Sequence, residues 1–136
     1  MVQFQQRNSK IIGIDLREDA QTLRTGREFS SYLLVQRTFD QAMAKRKMHR
    51  IFEAGCRTFD FFGSAEKIWL DCADQEKDRW GENAELISGW NTLEHFAKAL
   101  KYELSSSSFF PHDFCLFYDD TGSFYEFLKL VGIRSA

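Results

Sequence analysis

A run of acidic residues in the second half of the chain, ended by tryptophans, is the group of side chains whose types and spacing best suit molecular recognition. Carboxylates that frame exposed aromatic rings imitate the phosphates and bases of a nucleic acid, and aromatic side chains are frequent anchors of protein interfaces. Such a group attracts a partner with a basic surface and steers its approach. The residues predicted to form this partner-binding surface are Asp71, Asp74, Asp78, Trp80, Glu82, Glu85 and Trp90.

A second charged group, of the opposite sign, precedes the acidic run. Arg37, Lys45, Arg46, Lys47 and Arg50 could hold the phosphates of a nucleic acid. Consecutive positions on a helix point about 100° apart, so these cations surround the helix axis more than they form a stripe. Cations near the end of a helix also interact favourably with its dipole. Nucleic-acid binding through this segment is the alternative prediction.

Aspartates near the ends of predicted strands define a third hypothesis. Residues 11–15, with the sequence IIGID, resemble the first strand of RNase H-like nucleases, in which an aspartate at the position of Asp15 holds a divalent metal. Leu16 stands here where one branch of that superfamily has a glycine. The resemblance implies that Asp60, together with Asp119 or the aspartate after it, supplies further oxygen ligands for Mg²⁺. It therefore implies a metal-dependent nuclease that uses Asp15, Asp60 and Asp119.

Two shorter segments also resemble known families. Residues 120–123, with the sequence DTGS, resemble the catalytic triplet of the pepsin and retropepsin aspartic proteases, but the 13 residues that follow are patterned as a helix, not as strands. Residues 80–83 resemble the GEN-containing loop of barstar, an inhibitor of an extracellular ribonuclease built on a small, helix-covered parallel sheet. The elements around that segment do not follow barstar's order, so neither resemblance assigns a family.

The cysteines and histidines do not predict a metal site. Cys56, Cys72, His112 and Cys115 are sufficient in number for a zinc site, but only His112 and Cys115 are close in sequence. We therefore expect no metal and no cofactor. The chain lacks a CxxC pair, a cleavable leader and an apolar run of about 18 residues, which predicts a soluble cytoplasmic protein without contact to a membrane.

Composition predicts a single small domain over residues 1–136. The chain contains 14 Phe, 4 Tyr and 3 Trp, and such rings bury much apolar area with few residues. Charge is unevenly distributed: residues 1–57 carry 11 Lys and Arg against 6 Asp and Glu, whereas residues 58–136 carry 7 against 14. This polarity favours either folding of the two halves against each other or two surfaces for different partners.

Hydrophobic periodicity places these candidates on a small sheet covered by helices. The patterns predict strands at 10–16, 56–62 and 113–118 and helices at 40–54, 65–80 and 93–104. A final helix starts at Thr121 or Ser123 and stops at Gly132, Ser64 caps the second helix, and residues 84–88 add a helical turn. Residues 29–38 fit a strand or a helix equally. The expected fold is α+β or α/β, with a three- or four-stranded mixed or parallel sheet and four to five helices.

The sequence contains no nucleotide-binding glycine loop, no HExxH and no nucleophile elbow, which favours a binding protein over an enzyme. The leading hypothesis is a non-enzymatic protein-binding protein. Its most concrete form is an inhibitor or immunity-type protein that docks its acidic, Trp-bearing face on a basic partner that handles nucleic acid.

Overall fold

The computed structural model describes residues 2–6, 9–18, 29–81, 83–106 and 112–133, which form one sheet and four helices. The six strands are β1 (Val2–Gln6), β2 (Ser9–Asp15), β3 (Phe29–Leu34), β4 (Thr58–Phe62), β5 (Glu85–Ile87) and β6 (Asp113–Tyr118). The helices are α1 (Gln41–Glu53), α2 (Glu66–Trp80), α3 (Leu93–Ser106) and α4 (Thr121–Val131). The predicted mixed α/β class is confirmed, but the sheet has six strands and not three or four.

The last strand along the chain lies in the middle of the sheet, because the spatial order is β1-β2-β6-β3-β4-β5. β2, β6, β3, β4 and β5 run parallel, and β1 runs antiparallel to β2. All residues of β3 and β6 are buried, as expected for central parallel strands covered on both faces. The sheet is therefore mixed because of β1. β3, which forms from part of the ambiguous residues 29–38, pairs with β6 and β4.

The helices cover the two faces of the sheet in pairs. Helices α1 and α2 pack together over one face, where Phe52 and Trp69 are fully buried against Phe59 and Phe61. Helices α3 and α4 pack together over the other face, where Phe96 and Phe127 stack at 5.1 Å between ring centroids. We call these surfaces the α1/α2 face and the α3/α4 face.

The helix boundaries agree closely with the predicted ones, but two of the capping residues differ. The carboxylate of Asp120, and not Thr121 or Ser123, caps α4 by accepting the backbone N–H of Ser123 at 3.0 Å. Helix α2 has Ala65 at its N-cap, while the Ser64 backbone N–H and hydroxyl both contact the Gln36 side chain. Gly132, in the left-handed conformation, ends α4 as predicted.

Two edge elements depart from the predictions. Residues 84–88 do not form a helical turn, because Glu85–Ile87 pairs with β4 as the outer strand of the sheet. β1 arises from the polar segment at the start of the chain, which the patterns left without structure. No helix in the described parts of the chain combines the length and apolar character needed to cross a bilayer.

Close backbone packing joins the loops that follow β3 and β4. Val35 donates its N–H to the Phe62 carbonyl at 2.8 Å and accepts from the Ala65 N–H at 3.0 Å. Gly63 has a φ of 131°, and a Cβ atom there would lie 2.2 Å from the Val35 oxygen. Only glycine fits this crossing, which fixes both loops beside the ends of their strands.

Candidate functional site

The edge of the sheet where the parallel strands end, here called the carboxyl edge, is the usual ligand position in an α/β fold. Ligands of open parallel sheets bind where neighbouring strands continue to opposite faces. β3 continues into α1 on the α1/α2 face, and its neighbour β6 continues into α4 on the α3/α4 face. A ligand site is therefore expected in the crevice between the ends of β3 and β6.

This crevice is filled by the protein's own carboxylates. The buried Asp119 accepts three backbone hydrogen bonds, from Gln36 at 2.8 Å, Arg37 at 2.9 Å and Thr38 at 2.7 Å. Successive N–H groups of this kind form a nest that can bind a phosphate or another anion. The nest already holds an anion here. The N-termini of α1 and α4 are likewise capped by Asp40 and Asp120.

Asp15, Asp60 and Asp119, the predicted nuclease residues, do not share a site. Asp15 forms a two-pronged ion pair with Arg17, at 2.8 and 2.6 Å, and these hydrogen bonds lower the pKa of its carboxyl group. Asp60 lies in the middle of β4 and bonds to Trp90. Within the described residues, no group of three or more His, Cys, Asp or Glu side chains is placed to hold a metal ion. The structure therefore does not assemble these three aspartates into a metal-holding group, and the nuclease activity itself stays a prediction.

The predicted nucleic-acid-binding cations are dispersed. Arg37 lies in the loop after β3 and pairs with Asp120 at 2.8 Å, and Lys47 donates to the Glu18 carbonyl at 2.7 Å. Lys45 lies on the side of α1 next to Cys72 of α2, while Arg46 and Arg50 are exposed elsewhere around the same helix. The structure does not bring these five side chains to one surface.

The structure divides the predicted acidic surface into parts. Asp71, Asp74 and Asp78 are exposed on α2 and lie on the side opposite its buried residues, forming one stripe that we call the α2 stripe. They are separated by three and four positions, so they point within about 60° of one another. Glu85 and Trp90 belong to a different region, described below, and Glu82 lies outside the described residues.

Trp80 lies at the end of α2 but on the inner side of the helix. It is 37% exposed, and its indole N–H donates to the buried Glu76 carboxylate at 3.0 Å. The same carboxylate contacts His49 Nδ1 of α1 at 3.1 Å, and the Arg57 guanidinium lies 5.5 Å from the indole ring centre. Trp80 thus joins the ends of α1 and α2 and is not part of the α2 stripe.

The cysteines are buried free thiols. Burial raises the pKa of Cys56 to about 11 and raises the pKa values of Cys72 and Cys115 as well. Cys56 contacts the Ser31 hydroxyl at 3.0 Å. Because the thiolate is the reactive form, these side chains are not suited to nucleophilic chemistry.

An open pocket of about 470 Å³ lies at the opposite end of the sheet, where the parallel strands begin. We call it the amino-edge pocket. Helix α3 forms one wall, and the α3/α4 face of the sheet forms the floor. The described residues that line it are Ser30, Thr58, Glu85, Ile87, Tyr102, Glu103, Ser106, His112 and Phe114.

A serine and a histidine pair inside this pocket. Ser30 Oγ and His112 Nε2 lie 2.7 Å apart, and the histidine ring meets Phe114 edge-on. Acyl transfer by such a pair needs an exposed serine and a third group that orients the histidine. Ser30 is only 2% exposed, and no described carboxylate forms an ion pair with His112. Ser30 and His112 therefore line the pocket but form no catalytic triad with the other described residues.

Asp60 is the most perturbed described carboxylate. It is 1% exposed, its Oδ2 accepts from the Trp90 indole at 3.3 Å, and its Oδ1 has no hydrogen-bond partner among the described residues. Burial, reinforced by the negative charges of Glu103 and Glu85, raises the pKa of Asp60 to about 7.

Tyr32 connects Asp60 to the wall of the pocket. Tyr32 is the register partner of Asp60 in the neighbouring strand, and its hydroxyl donates to Glu103. Burial raises the pKa of Tyr32, so the hydroxyl remains a donor at all physiological pH values. The result is a row of polar groups that runs from buried Asp60 to the pocket lining.

The sequence indicated Asp60 as a nuclease carboxylate and Glu85 and Trp90 as parts of a partner-binding surface, and it did not indicate Tyr32, Ser30 or Glu103 as site residues. Ser30 and His112 are 82 positions apart and Tyr32 and Glu103 are 71 apart, so no local spacing indicates them. Comparisons of the chain with protein-family models, with curated proteins and with solved structures find no match. Function is therefore inferred from the chemistry of the described residues.

Proposed function

We propose that this protein is a non-enzymatic binding protein that docks a basic surface of a protein partner on the α2 stripe, as an inhibitor or immunity-type protein would. The observation that carries the proposal is the isolation of the three carboxylates. Asp71, Asp74 and Asp78 are exposed, and none forms an ion pair within the described part of the chain. They span about 10 Å along the helix, a length that matches a row of partner side chains.

Repulsion inside the stripe makes an external cation favourable. Asp74 and Asp78 are four positions apart on α2, and like charges at this spacing destabilise a helix by about 0.2–0.5 kcal/mol. Lysine or arginine residues of a partner would relieve this repulsion. They would also increase the association rate at low salt.

The charges on the neighbouring helix α1 restrict the orientation in which a partner can bind the α2 stripe. Helix α1 packs beside α2 and exposes Arg46 and Arg50, so cations of α1 lie beside the carboxylates of the α2 stripe, and exposed Lys67 begins the same side of α2. A partner that is basic opposite α2 and acidic opposite α1 would bind in one orientation only, because the reversed orientation juxtaposes like charges. This arrangement replaces the single acidic, Trp-bearing face expected from the sequence.

Charge reversal with a matched control tests the proposal. The double variant Asp74→Lys, Asp78→Lys should lose the protein that co-purifies with the wild type from a lysate of the native host. The control, Glu94→Lys with Glu126→Lys, has the same net charge but alters exposed positions of α3 and α4. Equal retention of the partner by both variants would refute the α2 stripe as the interface. Loss of the co-purified material on nuclease treatment would favour nucleic-acid binding through α1 instead.

A further inference from the structure

The amino-edge pocket concentrates negative charge beside apolar surface. Glu85 and Glu103 line it, and the described lining contains no lysine or arginine. Asp60 lies directly behind this lining, because it follows Thr58 by two positions on the same side of β4 and pairs with Ile87 of β5. Asp60 itself is buried and is not part of the lining; its register partners are Ile87, which lines the pocket, and Tyr32, whose hydroxyl is hydrogen-bonded to the lining residue Glu103.

Oxygen Oδ1 of Asp60 has no hydrogen-bond partner among the described residues, which indicates that a hydrogen-bond donor is missing beside the pocket. A buried carboxylate oxygen without a donor costs free energy, and a ligand that brings a positive N–H group would satisfy it. Oxygen Oδ2 is already held by Trp90, which orients the carboxylate and leaves Oδ1 for a second donor. The described residues offer Oδ1 no such donor.

The form of the pocket favours an organic cation over a metal ion or an anion. No described group of three His, Cys, Asp or Glu side chains is placed to hold a metal, and the two glutamates repel anions. A volume of about 470 Å³ lies in the range of small-molecule sites. Ile87, Phe114 and Tyr102 supply apolar and aromatic surface, which suits a carbon chain and the face-on approach of a cation.

We propose that the amino-edge pocket binds a small organic cation, a primary ammonium group on a short apolar chain, whose N–H groups donate hydrogen bonds to Glu103 in the lining and to Oδ1 of Asp60 behind it. The Ser30 and Thr58 hydroxyls lie along the same wall and can accept or donate further hydrogen bonds. This site is separate from the α2 stripe, because it opens on the α3/α4 face of the sheet.

The indole of Trp90 provides a direct measurement of binding. The probe is n-butylamine at pH 8, and the matched ligands are n-butanol, which lacks the charge, and butyrate, which reverses it. In ¹H–¹⁵N spectra of the wild-type protein, n-butylamine should shift the Trp90 indole signal, because that N–H bonds to Asp60. The indoles of Trp80 and Trp69, which bond to Glu76 and to the Thr38 carbonyl, should not move.

Variants of the carboxylates test which groups receive the cation. Asp60→Asn should weaken n-butylamine binding by at least about ten-fold, as expected for loss of a charged hydrogen bond. Glu85→Gln changes an exposed lining residue without threatening the fold and should weaken binding by about two- to five-fold. The control Asp74→Asn, on the α2 stripe, should leave the affinity unchanged.

Several results would overturn the proposal. Equal shifts with n-butanol would identify an apolar pocket without cation recognition, and binding of butyrate would contradict its electrostatics. An unchanged affinity of Asp60→Asn, or the absence of any Trp90 shift at 20 to 50 mM n-butylamine (a binding free energy weaker than about 2 kcal/mol), would remove the site. A shift of Trp90 produced by MgCl₂ or ZnCl₂ alone would replace the ammonium site with a metal site.

The pH dependence provides a second arm of the same experiment. The titratable and polar groups that face Asp60 are Glu103 of α3, Glu85 of β5, Tyr32 of β3 and the Trp90 indole. Because the pKa of Asp60 is about 7, its carboxyl group becomes charged between pH 6 and 8. Because n-butylamine stays protonated over this range, its affinity should rise with pH. An affinity that is constant from pH 6 to 8 in the wild type would show that Asp60 does not receive the cation.

Discussion

The carboxyl edge and the amino-edge pocket treat acidic side chains in opposite ways. At the carboxyl edge, Asp119 has three backbone donors, Asp15 has the Arg17 guanidinium, and Asp120 has Arg37 and Ser123. In the pocket, Asp60 has a single donor and lies near two other acids. The described acids at the carboxyl edge therefore have their hydrogen-bond donors within the chain, whereas Oδ1 of Asp60 has none.

The pKa values record the same difference. Hydrogen bonds from Ser123 and Arg37 lower the pKa of Asp120 to about 2, while burial beside Glu103 raises that of Asp60 to about 7. Donors at the first site stabilise the charged form, and desolvation at the second destabilises it. At the usual ligand position of an α/β sheet the charged carboxylate is therefore stabilised within the chain, whereas the charged form of Asp60, near the opposite end, is not.

The largest expected effect comes from emptying the nest at the carboxyl edge. Asp119→Ala removes the acceptor of three buried N–H groups and should lower the free energy of unfolding by about 3–5 kcal/mol, measured by urea denaturation. Asp119→Asn, whose amide oxygen still accepts, should lose about half as much. A loss below about 1 kcal/mol for Asp119→Ala would mean that water replaces the carboxylate without cost.

The substitution Asp60→Asn, behind the amino-edge pocket, is expected to raise the free energy of unfolding instead of lowering it. Asp60 has an ordinary pKa of 3.8 when unfolded and about 7 when folded, so raising the pH through this window ionises the unfolded chain first and favours unfolding. Asp60→Asn removes this penalty. Its gain in unfolding free energy over the wild type should grow by about 2–3 kcal/mol between pH 5 and pH 8. A gain that does not depend on pH would show that Asp60 is not held neutral by the fold.

Glu103→Gln should also raise the free energy of unfolding, but by less than Asp60→Asn. Gln retains an oxygen for the Tyr32 hydroxyl but removes a negative charge near Asp60. The pKa of Asp60 should fall, and this can be followed through the Trp90 indole signal during a pH titration. Glu94→Gln, at an exposed position of the first turn of α3, serves as the control. If the pH titration of the Trp90 indole signal is unchanged in Glu103→Gln, the raised pKa of Asp60 is caused by burial and not by Glu103.

The smallest effect is expected for the exposed ion pair of the carboxyl edge. Arg37→Ala removes a contact to Asp120 but leaves the Arg37 backbone N–H, and therefore the nest, intact. The free energy of unfolding should fall only slightly at low salt, because exposed ion pairs contribute little, and the difference should vanish near 1 M NaCl. A larger or salt-independent loss would show that the edge depends on its surface pair as much as on its buried nest.

Strong local patterns allowed much of the fold to be predicted. The run 113–118 is apolar and bounded by polar residues, and it forms β6 over the predicted range. The predicted helix 40–54 forms as α1 because Asp40 caps a segment whose apolar residues recur at helical spacing. Residues 29–38 were ambiguous since their apolar run also fits a helix, and only pairing with β6 and β4 decides for a strand.

The missed strands are short or polar and depend on neighbours for their structure. β5 has three residues, too few for a periodic pattern, and β1 has the sequence VQFQQ with only Phe4 buried. The site was missed for a related reason. Asp60 looks like an ordinary acid at the end of a strand until β5 and α3 bring Glu85 and Glu103 beside it.

The central position of β6 has a consequence for how the chain folds during synthesis. β3, α1, β4, α2 and β5 are consecutive and can assemble early, because their contacts are local in sequence. β2 is made before them, yet it pairs with β6 about one hundred positions later, as in the register of Ile11 with Phe114. While residues 113–118 remain in the ribosome, β2 and β3 have unpaired inner edges. The nascent chain therefore carries two exposed strand edges until β6 emerges, and this interval is when chaperone binding would matter most.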